Sequence, residues 1–135
     1  MKKLVYLFVL FFAMAISASA ANLVEFKGTV TQWKDGKEVP LPGATVIIGT
    51  NISLNTGGMT DVIQNAKGIA AQVNTNEKGA FVAKVPAGRY AVILWKAHYV
   101  PASYTAAAPG TFKGSISYDN QVGASGRHTG LTKKN

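Results

Sequence analysis

The sequence predicts an all-β fold, a single antiparallel Greek-key-type β-sandwich of about seven strands. Apolar residues alternate with polar ones over short runs. Turn signals rich in Gly, Pro, Asn and Asp punctuate those runs. The chain beyond its first twenty residues is long enough for one domain and too short for two.

The N-terminus reads as a targeting segment. Met1-Lys2-Lys3 supplies a positive start, Leu4 to Ile16 is uncharged and apolar, and Ala18 and Ala20 stand in the A-x-A arrangement of a cleavage site. Residues 1–20 are therefore expected to be a helical signal peptide. A retained anchor would need about 20 apolar residues, which the run reaches only through small and hydroxyl side chains. Nothing after Ala21 is apolar over such a length, so no transmembrane segment is expected beyond the signal, and the mature chain is expected in the periplasm, at the cell surface or outside the cell.

The strands can be placed in order. In Leu23 to Trp33, the residues Val24, Phe26, Gly28 and Val30 share one face, and Glu25, Lys27, Thr29, Thr31 and Trp33 the other. Asp35-Gly36 is a turn pair, and Pro40 and Pro42-Gly43 exclude a helix before the β-branched run Ala44 to Ile48. Asn76-Glu77-Lys78-Gly79 is a further turn, with Gly79 suited to a positive φ. Phe81, Ala83 and Val85 alternate into Pro86-Ala87-Gly88; Tyr90, Val92 and Leu94 then alternate with Ala91, Ile93 and Trp95. A weaker strand runs from Phe112 to Tyr118, with Phe112, Gly114, Ile116 and Tyr118 on one face. Residues 22–120 form the expected domain.

Two stretches depart from this pattern. Asn51 to Gly68 exceeds an ordinary connection. From Asp61 onward Val62, Ile63, Ala66, Ile69 and Ala70 recur at helical spacing behind Asp61 as N-cap, which predicts a short helix within 59–71. Long loops on rigid scaffolds commonly carry specificity, and this insertion is where it is expected. Residues 121–135, with Val122 and Leu131 as their sizeable apolar groups, read as a flexible tail or a poorly packed last strand.

The order Gly28-Thr29-Val30, Pro40-Leu41-Pro42-Gly43-Ala44-Thr45-Val46, Asn76 to Phe81 and Val85-Pro86-Ala87-Gly88-Arg89-Tyr90, ending near His98-Tyr99-Val100, resembles the carboxypeptidase regulatory-like domain family. The resemblance implies a transthyretin-like (prealbumin-like) sandwich, related to carbohydrate-binding-like folds, and a non-catalytic binding or accessory role. It leaves out Asn51 to Gly68 and the tail.

Composition bounds the chemistry. The chain has 14 Lys+Arg against 6 Asp+Glu, a net charge of +8; losing Lys2 and Lys3 with the signal would leave +6. Such a surplus favours anionic partners such as lipid headgroups, acidic polysaccharide or nucleic acid. The cations are scattered singly, and an exported chain rarely meets nucleic acid, so no nucleic-acid role is expected. There is no cysteine, and the two histidines, His98 and His128, have no nucleophile motif around them. No catalytic residue, no metal site (His98, His128 and Asp119 lack ligand spacing) and no cofactor are expected.

The sharper site hypothesis is carbohydrate binding. Face parity turns Trp33 and Trp95 away from the core, and Tyr99 and Tyr104 follow in what reads as a loop that could extend an aromatic platform. The blander alternative is packing under a loop, for which the Asn51–Gly68 insertion is available. The expected role is an exported binding or structural module with an envelope protein or surface polysaccharide as partner. Self-assembly through open sheet edges is a further route. Related adhesin domains also join Lys to Asn covalently beside an acid. Lys27, Asn120 and Glu77 would be the residues here, but Lys27 has the wrong parity for a buried bond.

Overall fold

Alternation along β1 (Leu23–Lys34) organises the molecule, and the computed structural model describes residues 22–55, 61–119 and 131–134. β1 is the centre of the first sheet. On one side it pairs in parallel with β11 (Gly110–Ser115) over Phe26 to Thr31. On the other side β7 (Ala80–Pro86) pairs along Leu23 to Thr29, and β2 (Lys37–Pro40) takes over from Thr31 to Lys34. The changeover falls at Val30. Its N–H donates to the Gly79 carbonyl at 2.8 Å and its carbonyl accepts from the Leu41 N–H at 2.9 Å. Gly79 has φ 74°, and a Cβ there would lie 2.6 Å from the Val30 oxygen, so only glycine fits.

The second sheet has the order β10-β8-β3-β6, formed by Ala102–Ala108, Gly88–Trp95, Thr45–Gly49 and Ile69–Asn74. The two sheets bury Phe26, Val30, Phe81, Ala83, Val85 and Phe112 against Val46, Ile48, Tyr90, Val92 and Leu94. Most inward residues read from alternation are buried, and Phe26, Val30 and Val92 have no exposed surface; Tyr118, read on the same face as Phe112, is instead exposed. The observed fold is thus a two-layer β-sandwich, as the alternation predicts.

Three phenylalanines fill the space around Gly28. Its register partners are Phe81 on β7 and Phe112 on β11, and the rings of Phe26, Phe81 and Phe112 lie 5.8–6.2 Å apart, centroid to centroid. A Cβ on residue 28 would sit 2.3 Å from the Phe112 carbonyl oxygen. Glycine here is a packing requirement, since the Phe112 backbone and Cβ on the neighbouring strand occupy the volume a side chain would need.

The insertion is where the structure corrects the sequence reading. The helix expected within 59–71 does not form. β4 (Ser53–Asn55) and β5 (Asp61–Gln64) make an antiparallel pair, and a single 3₁₀ turn, Ala66–Gly68, leads into β6. Asn65 breaks the run with left-handed angles, φ 59° and ψ 49°, and its side-chain amide donates to the Asn51 carbonyl at 3.0 Å. The apparent helical spacing comes from two strands on either side of that turn, and Ala70 is exposed.

The hairpin covers the outer face of the second sheet. Ile52 and Ile63 close over Ile47 and Ile93 in a second buried cluster, with Leu54 and Ile69 at its margin. The central strands β3 and β8 are therefore buried on both faces at Ile47 and Ile93, which explains the unbroken apolar run Val46-Ile47-Ile48, while the outward residues of β10 and β6 stay exposed. Part of the C-terminal stretch pairs here as well: β13 (Leu131–Lys134) runs parallel to β5. The signal-peptide segment and residues 121–130 lie outside the described residues. Among the described residues no helix is long and apolar enough to cross a membrane.

On the outer face of the first sheet, three neighbouring strands share one polar contact. The Thr31 hydroxyl on β1 donates to Glu38 Oε2 at 2.8 Å, and Lys113 Nζ on β11 lies 3.1 Å from Glu38 Oε1. The Thr31 bond first, then the Lys113 bond and charge, hold the Glu38 carboxyl below its usual 4.5. A lowered carboxyl pKa means the contribution is present above 4.5 and disappears as the pH falls through the folded-state value. Glu38→Gln is expected to flatten that part of the acid dependence of the melting temperature. Thermal melts of both proteins on a descending pH series check this, and identical acid profiles would contradict it.

Candidate functional site

The final residues of β1 run beyond the sandwich and meet a small ribbon made by β9 (Tyr99–Val100) and β12 (Ser117–Tyr118). Between them lies an open groove of about 500 Å³, lined by Gln32, Trp33, Lys34, Tyr99, Ser117 and Tyr118.

Each wall has a local cause. Gln32 continues the inward parity of Phe26 and Val30, so it reaches over the end of the core, where its Oε1 accepts the Tyr99 hydroxyl at 2.8 Å. Trp33, one residue on, faces outward and is 60% exposed. The turn Lys96 to Tyr99, closed by the Tyr99 N–H donating to the Lys96 carbonyl at 2.9 Å, places Tyr99 at the groove floor; His98 within it has φ 72°. Opposite Tyr99 in register stands Tyr118, 57% exposed, whose ring meets Tyr99 edge-to-face at 5.4 Å and 77°. Burial, then the neighbouring Tyr118, push the Tyr99 hydroxyl up from its ordinary 10.0, with the Gln32 bond acting the other way. Tyr99 therefore stays a neutral donor to Gln32 well into the alkaline range, fixing the floor beneath the two exposed rings.

The four aromatic residues singled out from the sequence separate here. Trp33 and Tyr99 share the groove. Trp95 lies outside it, in the second sheet opposite Thr45, half-buried, and its indole N–H has no hydrogen-bond partner among the described residues. Tyr104 is not in a loop: β10 is a strand paired with β8 over seven residues. Its ring packs edge-to-face on Phe112 at 5.4 Å, and its hydroxyl donates to the Ser115 carbonyl at 2.7 Å and accepts from the Ser115 N–H at 3.0 Å. It belongs to the core margin.

Tyr118 escapes the sequence reading as a site residue because parity from Phe112 turns it inward. The ladder breaks at Ile116, whose N–H donates to the Thr31 carbonyl at 3.1 Å, and β12 starts afresh against β9. The doublet Ser117-Tyr118 just before Asp119 is the signal the sequence offers.

The insertion borders a second, polar hollow of about 450 Å³ lined by Thr50, Asn51, Asn65, Lys67 and Gly68. His98 is exposed, and among the described residues no three His, Cys, Asp or Glu side chains gather to hold a metal. Lys27 is exposed beside Glu25 at 4.0 Å, on the solvent side of β1, as parity requires; Asn120 lies outside the described residues.

The architecture defines a class, a two-layer sandwich with an aromatic groove at one end. No family model and no curated protein sequence matches the chain. Solved structures similar to it include the shaft pilin SpaA of Lactobacillus rhamnosus GG, at 13% identity over 72% of this chain and 52% of the pilin, TM-score 0.50. A minor pilin of Streptococcus agalactiae matches at 13% identity over 73% of this chain and 44% of that one, TM-score 0.44. The 5-hydroxyisourate hydrolase of Klebsiella pneumoniae matches at 16% identity over 70% of this chain and 90% of that one, TM-score 0.43. The chain spans about half the length of the pilins it matches. At such identities the likeness concerns the fold alone.

Proposed function

We propose that the protein is an exported, non-catalytic binding module of the cell envelope that engages its partner through the Trp33–Tyr118 groove. One observation carries this reading. Two large aromatic side chains, each more than half exposed, line the same groove at the end of a sandwich whose other large aromatics are mostly packed. Exposed aromatic surface is costly to leave in water, and clustered in this way it marks an interaction site. The lining supports a binding role over a catalytic one, because it holds amide, hydroxyl and ammonium groups with no histidine or carboxylate to serve as a base. Export is supported by the order of charge, apolar run and small residues in Met1 to Ala20.

The test is retention of the purified protein on envelope preparations of its host. Trp33→Ala is expected to weaken retention by roughly tenfold, the order for losing one well-used aromatic contact. Val82→Ala, exposed on the first sheet away from the groove, is expected to bind as wild type. Equal retention of Trp33→Ala and wild type would contradict the proposal.

A further inference from the structure

The hairpin beside the groove holds two like charges against each other. Lys34, in the groove wall, is the register partner of Lys37 across the Asp35-Gly36 turn. Side chains directly opposite on neighbouring strands stand about 5 Å apart at Cβ, and like charges there repel. Among the described residues the ion pairs join Lys27 to Glu25 and Lys113 to Glu38, and neither Lys34 nor Lys37 has one, even with Asp35 between them. Glu38, opposite Trp33, is the carboxylate nearest in register, and it is already engaged by Thr31 and Lys113. The groove thus combines two exposed aromatic side chains with the Lys34 ammonium in its lining, and Lys37 stands opposite Lys34 in register outside that lining.

We infer that the groove binds an acidic carbohydrate, a pyranose chain carrying carboxylate or sulfate groups. The inference deepens the binding role proposed above and rests on it. A pyranose ring has an apolar C–H face that stacks on an aromatic side chain and a rim of hydroxyls that needs hydrogen-bond partners. Trp33 and Tyr118 supply the faces. The Gln32 amide nitrogen, left over because its oxygen accepts from Tyr99, and the Ser117 hydroxyl supply partners at the rim. The acidic group of the sugar sits at Lys34 and relieves its repulsion with Lys37. A volume of about 500 Å³ is that of a small-ligand site, and the surplus of Lys and Arg, 12 against 6 Asp and Glu once Lys2 and Lys3 are lost, draws anions to the surface. A proline-rich peptide also docks on aromatic grooves, but it gains nothing from the lysine pair.

The experiment titrates the exported protein with oligogalacturonate, a sulfated oligosaccharide, a neutral cello-oligosaccharide and a polyproline peptide, using tryptophan emission and heat as readouts. Binding of the uronate or the sulfated chain, weakened by added salt, is expected; which of the two binds separates carboxylate from sulfate. Trp33→Ala is expected to lower that affinity by roughly tenfold and Lys34→Gln by roughly threefold. Equal binding of the neutral sugar with no effect of Lys34→Gln overturns the inference, as does binding of polyproline alone. If no sugar binds while Trp33→Ala still loses envelope retention, the carbohydrate inference fails and the binding role stands. If Trp33→Ala retains full envelope binding, both fall.

Discussion

Replacing Phe26 by alanine is expected to destabilise the protein by about 3–5 kcal/mol, the range for deleting a buried aromatic ring. Phe26 has no exposed surface and touches both other rings of the cluster, with centroids 5.8 Å from Phe81 and 6.1 Å from Phe112. Collapse of the neighbours into the space is restricted. Gly28 brings the β11 backbone close, and Val30, also fully buried, closes the next position along β1. Urea unfolding monitored by far-UV circular dichroism measures the change. Without a disulfide, the core has no covalent support to mask the loss. A cost below about 1 kcal/mol, the level of a surface substitution, would mean that the ring does not lie between the two sheets.

Thr75→Val is expected to cost about 2–6 kcal/mol, although it preserves shape, because valine leaves one buried acceptor and one buried donor unpaired at about 1–3 kcal/mol each. The Thr75 side chain is 6% exposed and ties the loop between β2 and β3 to the end of β6. Its hydroxyl donates to the Leu41 carbonyl at 2.7 Å and accepts from the Ala44 N–H at 2.9 Å. Its backbone adds two more bonds, Thr75 N–H to the Ala44 carbonyl at 2.9 Å and Gly43 N–H to the Thr75 carbonyl at 3.1 Å. Thr75→Ser keeps both hydroxyl bonds and gives up one methyl group, so it should lose only about 1 kcal/mol. Chemical denaturation of the pair separates the hydroxyl from the packing; equal losses would show that the bonds carry nothing.

The sequence makes some of this visible and hides the rest for physical reasons. Alternation in β1 and β7 is legible because one face of each strand is buried and the other is open or half-open. The turns at Asp35-Gly36 and Asn76 to Gly79 are legible because their chemistry is local: Asn76 Oδ1 accepts from the N–H groups of Lys78 and Ala80 at 2.8 and 3.0 Å. The alanine-rich strand β10 is not legible. Alanine has little β-propensity, and only pairing with β8 makes Ala102–Ala108 a strand. β5 and the start of β6 read as a helix for the related reason that short apolar runs fit either period until a partner surface is known. Thr75 gives no signal, since its role depends on partners 31 and 34 residues away.

Half of the groove comes from parity in β1. Trp33 has to face away from Phe26 and Val30, and it does. Trp95 has the same outward parity on β8 as Ile93, which the hairpin covers completely, and is itself half-buried with its indole nitrogen out of solvent, so outward there does not mean open. Parity cannot reveal a second layer. Nor can it track the chain past Ile116, where the break in the ladder turns Tyr118 out beside Trp33.

The central claim is that Trp33 stands in solvent at the mouth of an aromatic groove while the residues of opposite parity along its strand close the core. Tryptophan fluorescence of the Trp95→Phe variant, in which Trp33 is the remaining indole, tests it directly. The account predicts the red-shifted emission of indole in water and ready quenching by iodide, which the positive surface attracts. Blue-shifted emission shielded from iodide in the folded protein would contradict it.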